Sequence, residues 1–248
     1  MPAVTPPIRR SLRVGHKGAD LIAPGNTIAS FEAALRAGVD MIEFDVLSEH
    51  VDGTGELLLA HDPQDLRLRR AHTLEEGLAH FAGEAYAGVR LDVDLKLPGY
   101  ELRAIAALER HGLLDRALIS SMQLASLRVI RAARPDVRVG LSVPRVTSDP
   151  RRQRHTTALA LIAIQVLRRT LPRRCAGLVA GGTIDAVMAH WSVVTPRLAR
   201  RLAAVGGELY VWTVDDAERI VRLERMGVHG VITNDPRLFT AAVTGTEA

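Results

Sequence analysis

Four short segments of this 248-residue chain couple an apolar run to groups that could do chemistry. They are Val14-Gly15-His16-Lys17-Gly18, Met41-Ile42-Glu43-Phe44-Asp45-Val46, Leu59-Ala60-His61-Asp62 and Leu91-Asp92-Val93-Asp94-Leu95-Lys96. Glu43 and Asp45 are two apart in an extended run, so both side chains point to one face. Two carboxylates at the end of a buried strand lose hydration and repel each other, a cost that a cation removes. Oxygen donors suit a hard divalent ion, and Asp94 on another strand adds a third oxygen. The candidate metal ligands are therefore Glu43, Asp45 and Asp94. The alternative is a carboxylate cluster paired with arginine; Asp92, Asp94 and Lys96 on one further strand face leave too many charges in one place for that alone.

His16 and His61 each stand beside another candidate site group, Lys17 and Asp62. Imidazole exchanges a proton near neutral pH, so such a pair can serve as base and acid on either side of a scissile bond. His50, His72, His80, His111, His155 and His229 lack that company and read as ordinary surface or core residues. Lysine is rare: Lys17 and Lys96 are the only two among 32 basic residues. Both fall in the candidate site, where a compact ammonium is not interchangeable with a guanidinium fork. Trp212 reads either as barrel packing or as an apolar wall against a bound molecule.

These residues need a scaffold that gathers strand ends. Apolar runs at 12–16, 41–46, 91–95, 117–120, 137–143, 185–191, 209–214 and 230–233 read as strands, separated by helical patterns that include a Thr73–Glu76 capping box. Asp52-Gly53 marks a hairpin-like excursion between 48 and 59. The alternation predicts a single-domain α/β TIM (β/α)8 barrel, whose active sites lie at the C-terminal mouth. We expect an arm at 1–11, the barrel at 12–240 with a helical insertion at about 146–184, and a tail at 241–248. Within the insertion, 158–164 is apolar all round and flanked by Arg151, Arg152, Arg154, Arg168, Arg169, Arg173 and Arg174. It reads as a buried barrel helix with solvated ends, or as an interfacial segment in weak contact with an anionic membrane surface.

Composition narrows the class. One cysteine, Cys175, excludes an internal disulfide framework and fits a reducing compartment. No secretory h-region and no spanning apolar run is visible, so we expect a cytoplasmic protein. The net charge of +4 does not come with an aromatic-interleaved basic strip, which argues against nucleic acid as a partner. Nothing in the sequence fixes the oligomeric state.

Taken in order, His16-Lys17-Gly18, Pro24-Gly25-Asn26-Thr27, Ile42-Glu43-Phe44-Asp45-Val46, Asp52-Gly53, His61-Asp62, Asp94-Leu95-Lys96, Val211-Trp212-Thr213-Val214 and Gly230-Val231-Ile232-Thr233-Asn234-Asp235-Pro236 resemble the glycerophosphodiester phosphodiesterase family. The resemblance runs over about residues 12–240. It implies a TIM barrel that hydrolyses glycerophosphodiesters to glycerol 3-phosphate and an alcohol, using one divalent cation, Mg2+ or Ca2+. His16 and His61 match its acid/base pair, Glu43, Asp45 and Asp94 its metal ligands, and Lys96 a phosphate-binding lysine. Lys17 and Trp212 complete the candidate substrate-binding set. Three positions depart from the family pattern: Lys17 replaces Arg, Gly25 replaces Glu, and Asp94 replaces Glu. Asp94 with Lys96 also resembles the related sphingomyelinase D group. A lysophospholipase D or sphingomyelinase D-like activity on lipid diesters is thus the alternative, and a non-catalytic phosphodiester-binding barrel a further one.

Overall fold

The computed structural model describes residues 10–145 and 157–240. Most of the expected arm, the tail at 241–248, and Arg151, Arg152, Arg154 and His155 lie outside the described residues. Eight parallel strands close into a barrel. In chain order they are β1 (Leu12–Gly15), β2 (Met41–Ser48), β4 (Arg90–Leu95), β5 (Ala117–Ser121), β6 (Val139–Val143), β7 (Ala186–His190), β8 (Glu208–Trp212) and β9 (Gly230–Thr233). β1 pairs with both β9 and β2, which closes the ring. β3 (Leu57–Leu58) is the return limb of the excursion and pairs antiparallel with the end of β2.

The period of two in β2 divides its side chains. Ile42 and Phe44 point outward into the layer between strands and helices, where Phe44 meets Phe31 of α1 (Ile28–Arg36) and Phe81 of α3 (Leu74–Phe81) at ring-centroid distances of 5.9 and 5.2 Å. Burying a ring of this kind contributes roughly 2–3 kcal/mol. Met41 points inward and packs with Val14, Leu118, Met188, Tyr210 and Ile232 in a second apolar cluster that fills the barrel. Glu43 and Asp45 share the inward parity of Met41, so the strand that builds the core also carries two carboxylates to the mouth.

The helices begin and end where local chemistry dictates. Thr27 caps α1 by accepting from Ser30 N, and Thr73 with Glu76 forms the expected capping box on α3. α4 (Glu101–Arg110) starts only after the Pro98-Gly99-Tyr100 segment that leaves β4. Gly99 adopts φ +104° there, and Tyr100 is used otherwise. Its hydroxyl donates to Val46 O at 2.6 Å and accepts from Lys96 N and Leu97 N at 3.0 and 3.1 Å. One buried phenol thus ties the ends of β2 and β4 together. The remaining barrel helices are α5 (Leu124–Ala133), α6 (Thr157–Ala180), α7 (Pro196–Ala203) and α8 (Ala217–Met226), with the short α2 (Asp65–Leu68) after β3.

α6 corrects one expectation. The stretch taken for a buried helix is helical, but Leu161, Ile162 and Val166 are 57, 61 and 52% exposed. A helix that is apolar all round has no preferred face, and this one is longer than the barrel wall beside it. Only its later half finds cover, with Leu171 and Cys175 buried. Burial pushes the Cys175 thiol up to about 11. No helix among the described residues is long and apolar enough to cross a membrane.

Replacing Tyr100 with Phe would leave two N–H groups and one carbonyl without their partner. We expect Tyr100→Phe to lose about 2 kcal/mol of stability, read as a lower urea midpoint with unchanged slope.

Candidate active site

The loop after β1 is built by two residues with left-handed backbones, Lys17 (φ 49°) and Asn26 (φ 57°). The Lys17 N–H donates to Glu43 Oε2 at 2.8 Å. Asn26 is buried and forms a reciprocal pair with Asp45: its Nδ2 donates to Asp45 Oδ2 at 2.8 Å, and Asp45 N donates to its Oδ1 at 3.0 Å. Gly18, at φ +88°, leaves no room for a side chain, because a Cβ would lie 2.5 Å from Ser30 Oγ. The loop is thereby fixed against both inward carboxylates of β2.

Glu43, Asp45 and Asp94 are all buried, and one oxygen from each lies within 4.8 Å of the others. β4 places Asp94 beside Asp45 by direct register. The Lys96 ammonium sits between them, 2.5 Å from Asp45 Oδ1 and 2.5 Å from Asp94 Oδ2. Lys17 Nζ reaches Asp45 Oδ2 at 3.9 Å. Burial tends to raise the Asp45 pKa, but Lys96 and Lys17 outweigh it and hold this carboxyl well below its ordinary range. Burial would deprotonate Lys96, yet Asp45, Asp94 and Glu43 raise it well above the usual lysine value.

Two carboxyls go the other way. Burial and then the Asp45 charge push Glu43 up, and burial, with the Asp94 charge adding to it, takes Asp92 to about 8. Four carboxyls facing two ammoniums are two positive charges short, and the upward shifts of Glu43 and Asp92 are the response to that shortfall. A divalent cation would make up the difference. Asp45 Oδ1 and Asp94 Oδ1 are buried without a hydrogen-bond donor, and the Lys96 contact to Asp45 Oδ1 is an ion pair outside hydrogen-bond geometry. These orphaned hard oxygens, arranged in a buried acidic triad, are able to bind a metal.

His16 and His61 line the same cavity of about 120 Å³, together with Glu43, Asp94, Lys96 and Trp212. His16 Nε2 lies 3.8 Å from Glu43 Oε2. Its other nitrogen contacts Asn234 Oδ1 at 2.6 Å, and Asn234 Nδ2 donates to Asp215 Oδ2 at 2.7 Å. A carboxylate only accepts, so the Asn234 amide must turn its N–H toward Asp215 and its oxygen toward His16. The imidazole is then protonated at Nδ1, which leaves Nε2 as the nitrogen that can exchange a proton. Burial and the Lys17 charge lower the His16 pKa and favour this neutral form. His61 is half-exposed; its Nδ1 meets Asp62 Oδ2 at 3.1 Å, and its N–H donates to Asp65 Oδ2 at 2.9 Å. Trp212 is pinned by donation from Nε1 to Met188 O at 2.8 Å and walls the cavity.

Of the candidate site residues, Lys17 and the wholly buried Asp45 do not line the cavity, and the Lys17 ammonium is turned to the Asp45 and Asp20 carboxylates. Gly25 has a local reason: a Cβ there would come within 2.6 Å of Asp20 Oδ1 and 2.8 Å of Lys17 Cβ. Asn26, Asp92, Asn234 and Asp215 were not among the candidates. Asn26 reads in sequence as a helix start, and Asn234 as the turn before Pro236. Asp215 and Asn234 stand just beyond strand ends, Asn26 just before α1 and Asp92 within β4, and no spacing rule in the sequence joins them to the site. His190, at the end of β7, also reaches this end of the barrel, with its ring 5.1 Å from that of Trp212.

The glycerophosphoryl diester phosphodiesterase family matches residues 16–64 and 59–238. The chain belongs to this family. It is accordingly a phosphoric diester hydrolase. A glycerophosphodiester phosphodiesterase of Caldanaerobacter subterraneus is 26% identical over 92% of this chain and 95% of its own length. One from Arabidopsis thaliana is 27% identical over 90% of this chain and 70% of its own length. The same fold recurs in a glycerophosphodiester phosphodiesterase from Parabacteroides distasonis (TM-score 0.72, 18% identity, 96% of this chain and 99% of that one). It recurs again in an Oleispira antarctica phosphodiesterase solved with its product sn-glycerol-3-phosphate (TM-score 0.69, 20% identity, 94% and 96%).

The proton-holding state of Glu43 and Asp92 gives a sign to metal binding. Both hold protons above the ordinary carboxyl range, so a cation must displace them, and raising the pH removes that competition. Titrating chelator-treated protein with Mg2+ or Ca2+ should release protons and show affinity rising with pH toward the Asp92 value of about 8. Calorimetry in two buffers of different ionisation enthalpy reads this; affinity independent of pH would contradict it.

Proposed function

We propose that this protein hydrolyses glycerophosphodiesters to glycerol 3-phosphate and an alcohol by two-histidine acid/base catalysis. The observation that carries the reading is that His16 and His61 line one cavity together with Glu43, Asp94 and Lys96, with Asp45 buried beside them in the acidic triad. Glu43, Asp45 and Asp94 would hold one divalent cation, Mg2+ or Ca2+. When bound, it supplies Lewis-acid stabilisation of the non-bridging phosphate oxygens. Lys96, presented at the same wall, adds a second positive charge where negative charge develops.

The chain's own residues then divide the proton work. His16 Nε2, left free by the Asn234–Asp215 chain and favoured in its neutral form by burial and the Lys17 charge, takes the proton of the glycerol hydroxyl next to the phosphate. That oxygen attacks phosphorus and the bond to the leaving alcohol breaks. His61, whose Nδ1–H is held by Asp62, protonates the departing oxygen. A water then opens the resulting cyclic phosphate, with the two imidazoles exchanging roles. Trp212 offers an apolar face to the carbon atoms of the substrate, and Lys17 keeps Asp45 ionised from behind.

Asp94 in place of Glu favours a second reading, in which the diester is a lysolipid and the product alcohol its head group. The chemistry is unchanged; the panel of substrates distinguishes the two.

His16→Ala and His61→Ala should each lower turnover by about 10²–10⁴-fold, and excess chelator should abolish it until metal is restored. Purified protein assayed on a panel of glycerophosphodiesters and lysolipids reads both, and full activity in either variant would remove the acid/base assignment. Asn234→Ala should lower kcat by roughly tenfold or more with little change in KM, because it frees the imidazole without touching substrate. An equal loss in Asn234→Ala and a destabilised but catalytically intact core variant would refute that role.

A further inference from the structure

The mouth of the barrel is the apolar side of this molecule. Eleven large apolar side chains are exposed among the described residues, and only Leu102, Val129 and Val205 lie elsewhere. Leu21 and Ile22 stand on the loop after β1, Leu68 on α2 after β3, and Trp191 on the turn after β7. All of these segments leave the strands at their C-terminal ends, where the cavity opens.

α6 belongs to the same side. Arg168 Nε donates to Ser192 O at 2.8 Å, in the 3₁₀ turn that directly follows β7, so Arg168 is level with the rim. At the other end, Val179 packs against the place of Gly207, just before β8 begins, and so marks the floor. Between those levels one face of α6 is covered, with Leu171 and Cys175 buried and Arg169 and Arg173 on the exposed side. Thr157 lies eleven residues before Arg168, so at a rise of 1.5 Å per residue the helix continues for roughly 16 Å past the rim. Leu161, Ile162 and Val166 are on that projecting part. Arg169 and Arg173 continue the stripe of Leu161 and Gln165 at successive steps of four, placing exposed cations at the neck below an apolar tip.

We propose that the mouth face docks on an anionic lipid surface, with the α6 tip entering the interface and its arginines meeting the head-group phosphates. Charge selects this occupant. α6 itself carries four arginines, Arg168, Arg169, Arg173 and Arg174, and no acidic residue, which repels a second copy laid face to face and attracts anionic phosphate. Access selects it too: a protein laid over the rim would close the cavity, whereas a lipid surface is itself a source of diester. Arg219, seated 4.0 Å over the Trp191 ring, sets an interfacial aromatic beside a further cation. The inference deepens the reading above by naming where the diester comes from, and its primary readout does not depend on turnover.

The test is co-sedimentation with vesicles of phosphatidylcholine alone and of phosphatidylcholine with phosphatidylglycerol, at low and high salt. The protein should bind the mixed vesicles, ignore the neutral ones, and lose roughly tenfold or more in affinity at high salt. Leu161→Glu with Ile162→Glu, and separately Arg169→Glu with Arg173→Glu, should each abolish binding while circular dichroism and hydrolysis of a soluble glycerophosphodiester stay as in the wild type. No binding to mixed vesicles at low salt, or equal binding by the variants, would overturn the proposal. So would a stable dimer in solution that the same substitutions dissociate. Failure of the catalytic reading would show instead as absent hydrolysis with vesicle binding intact.

Discussion

The rest of the site depends on keeping four carboxyl groups together at a buried point. The Lys96 ammonium between Asp45 and Asp94 is the fixed part of the solution, and Lys17 behind Asp45 is the second. Their attraction holds Asp45 ionised against the pull of burial. What the two lysines leave uncompensated falls on Glu43 and Asp92, which resist ionisation. The barrel therefore carries an electrostatic debt of two charges at the place where a phosphate is to be handled. A cation that settles it also brings positive charge to the reaction, so the demand of stability and the demand of chemistry coincide.

Holding such a cluster requires stiff surroundings. The strand register sets Asp94 beside Asp45, and the Tyr100 hydroxyl locks the ends of the same two strands. The loop after β1 adds a second tie through Asn26 and the Lys17 N–H. His16 is oriented from the opposite edge, through Asn234 on the chain leaving β9. Because β1 and β9 are neighbours in the closed ring, residues more than two hundred positions apart in sequence meet across a single strand pair. Barrel closure, and not any local motif, puts the first histidine in its working tautomer.

Much of this was legible in the chain itself. The alternation of strand and helix gives the barrel, the capping box at Thr73 gives a helix start, and the parity of Glu43 and Asp45 puts both inside. Side chains that act through a neighbour were not legible. Asn26 looks like a helix start and Asn234 like a turn residue, and only the fold reveals that each bonds a site group. Asp92 was counted as a charge but given no role, since strand parity cannot say which carboxyl of a run stays protonated. α6 was misjudged for a related reason: hydrophobicity reports what a helix would bury, not how far the wall beside it extends.

The solitary thiol has a practical side. Cys175 is packed into the covered half of α6, with its ionisation suppressed by the same burial. Alkylating reagents attack thiolates, so this sulfur stays silent while the helix is seated and becomes reactive when that half peels away. A single cysteine engineered onto the surface would consequently take up a fluorophore or spin label with no competing background, and the native one would serve as a clock for opening of the wall.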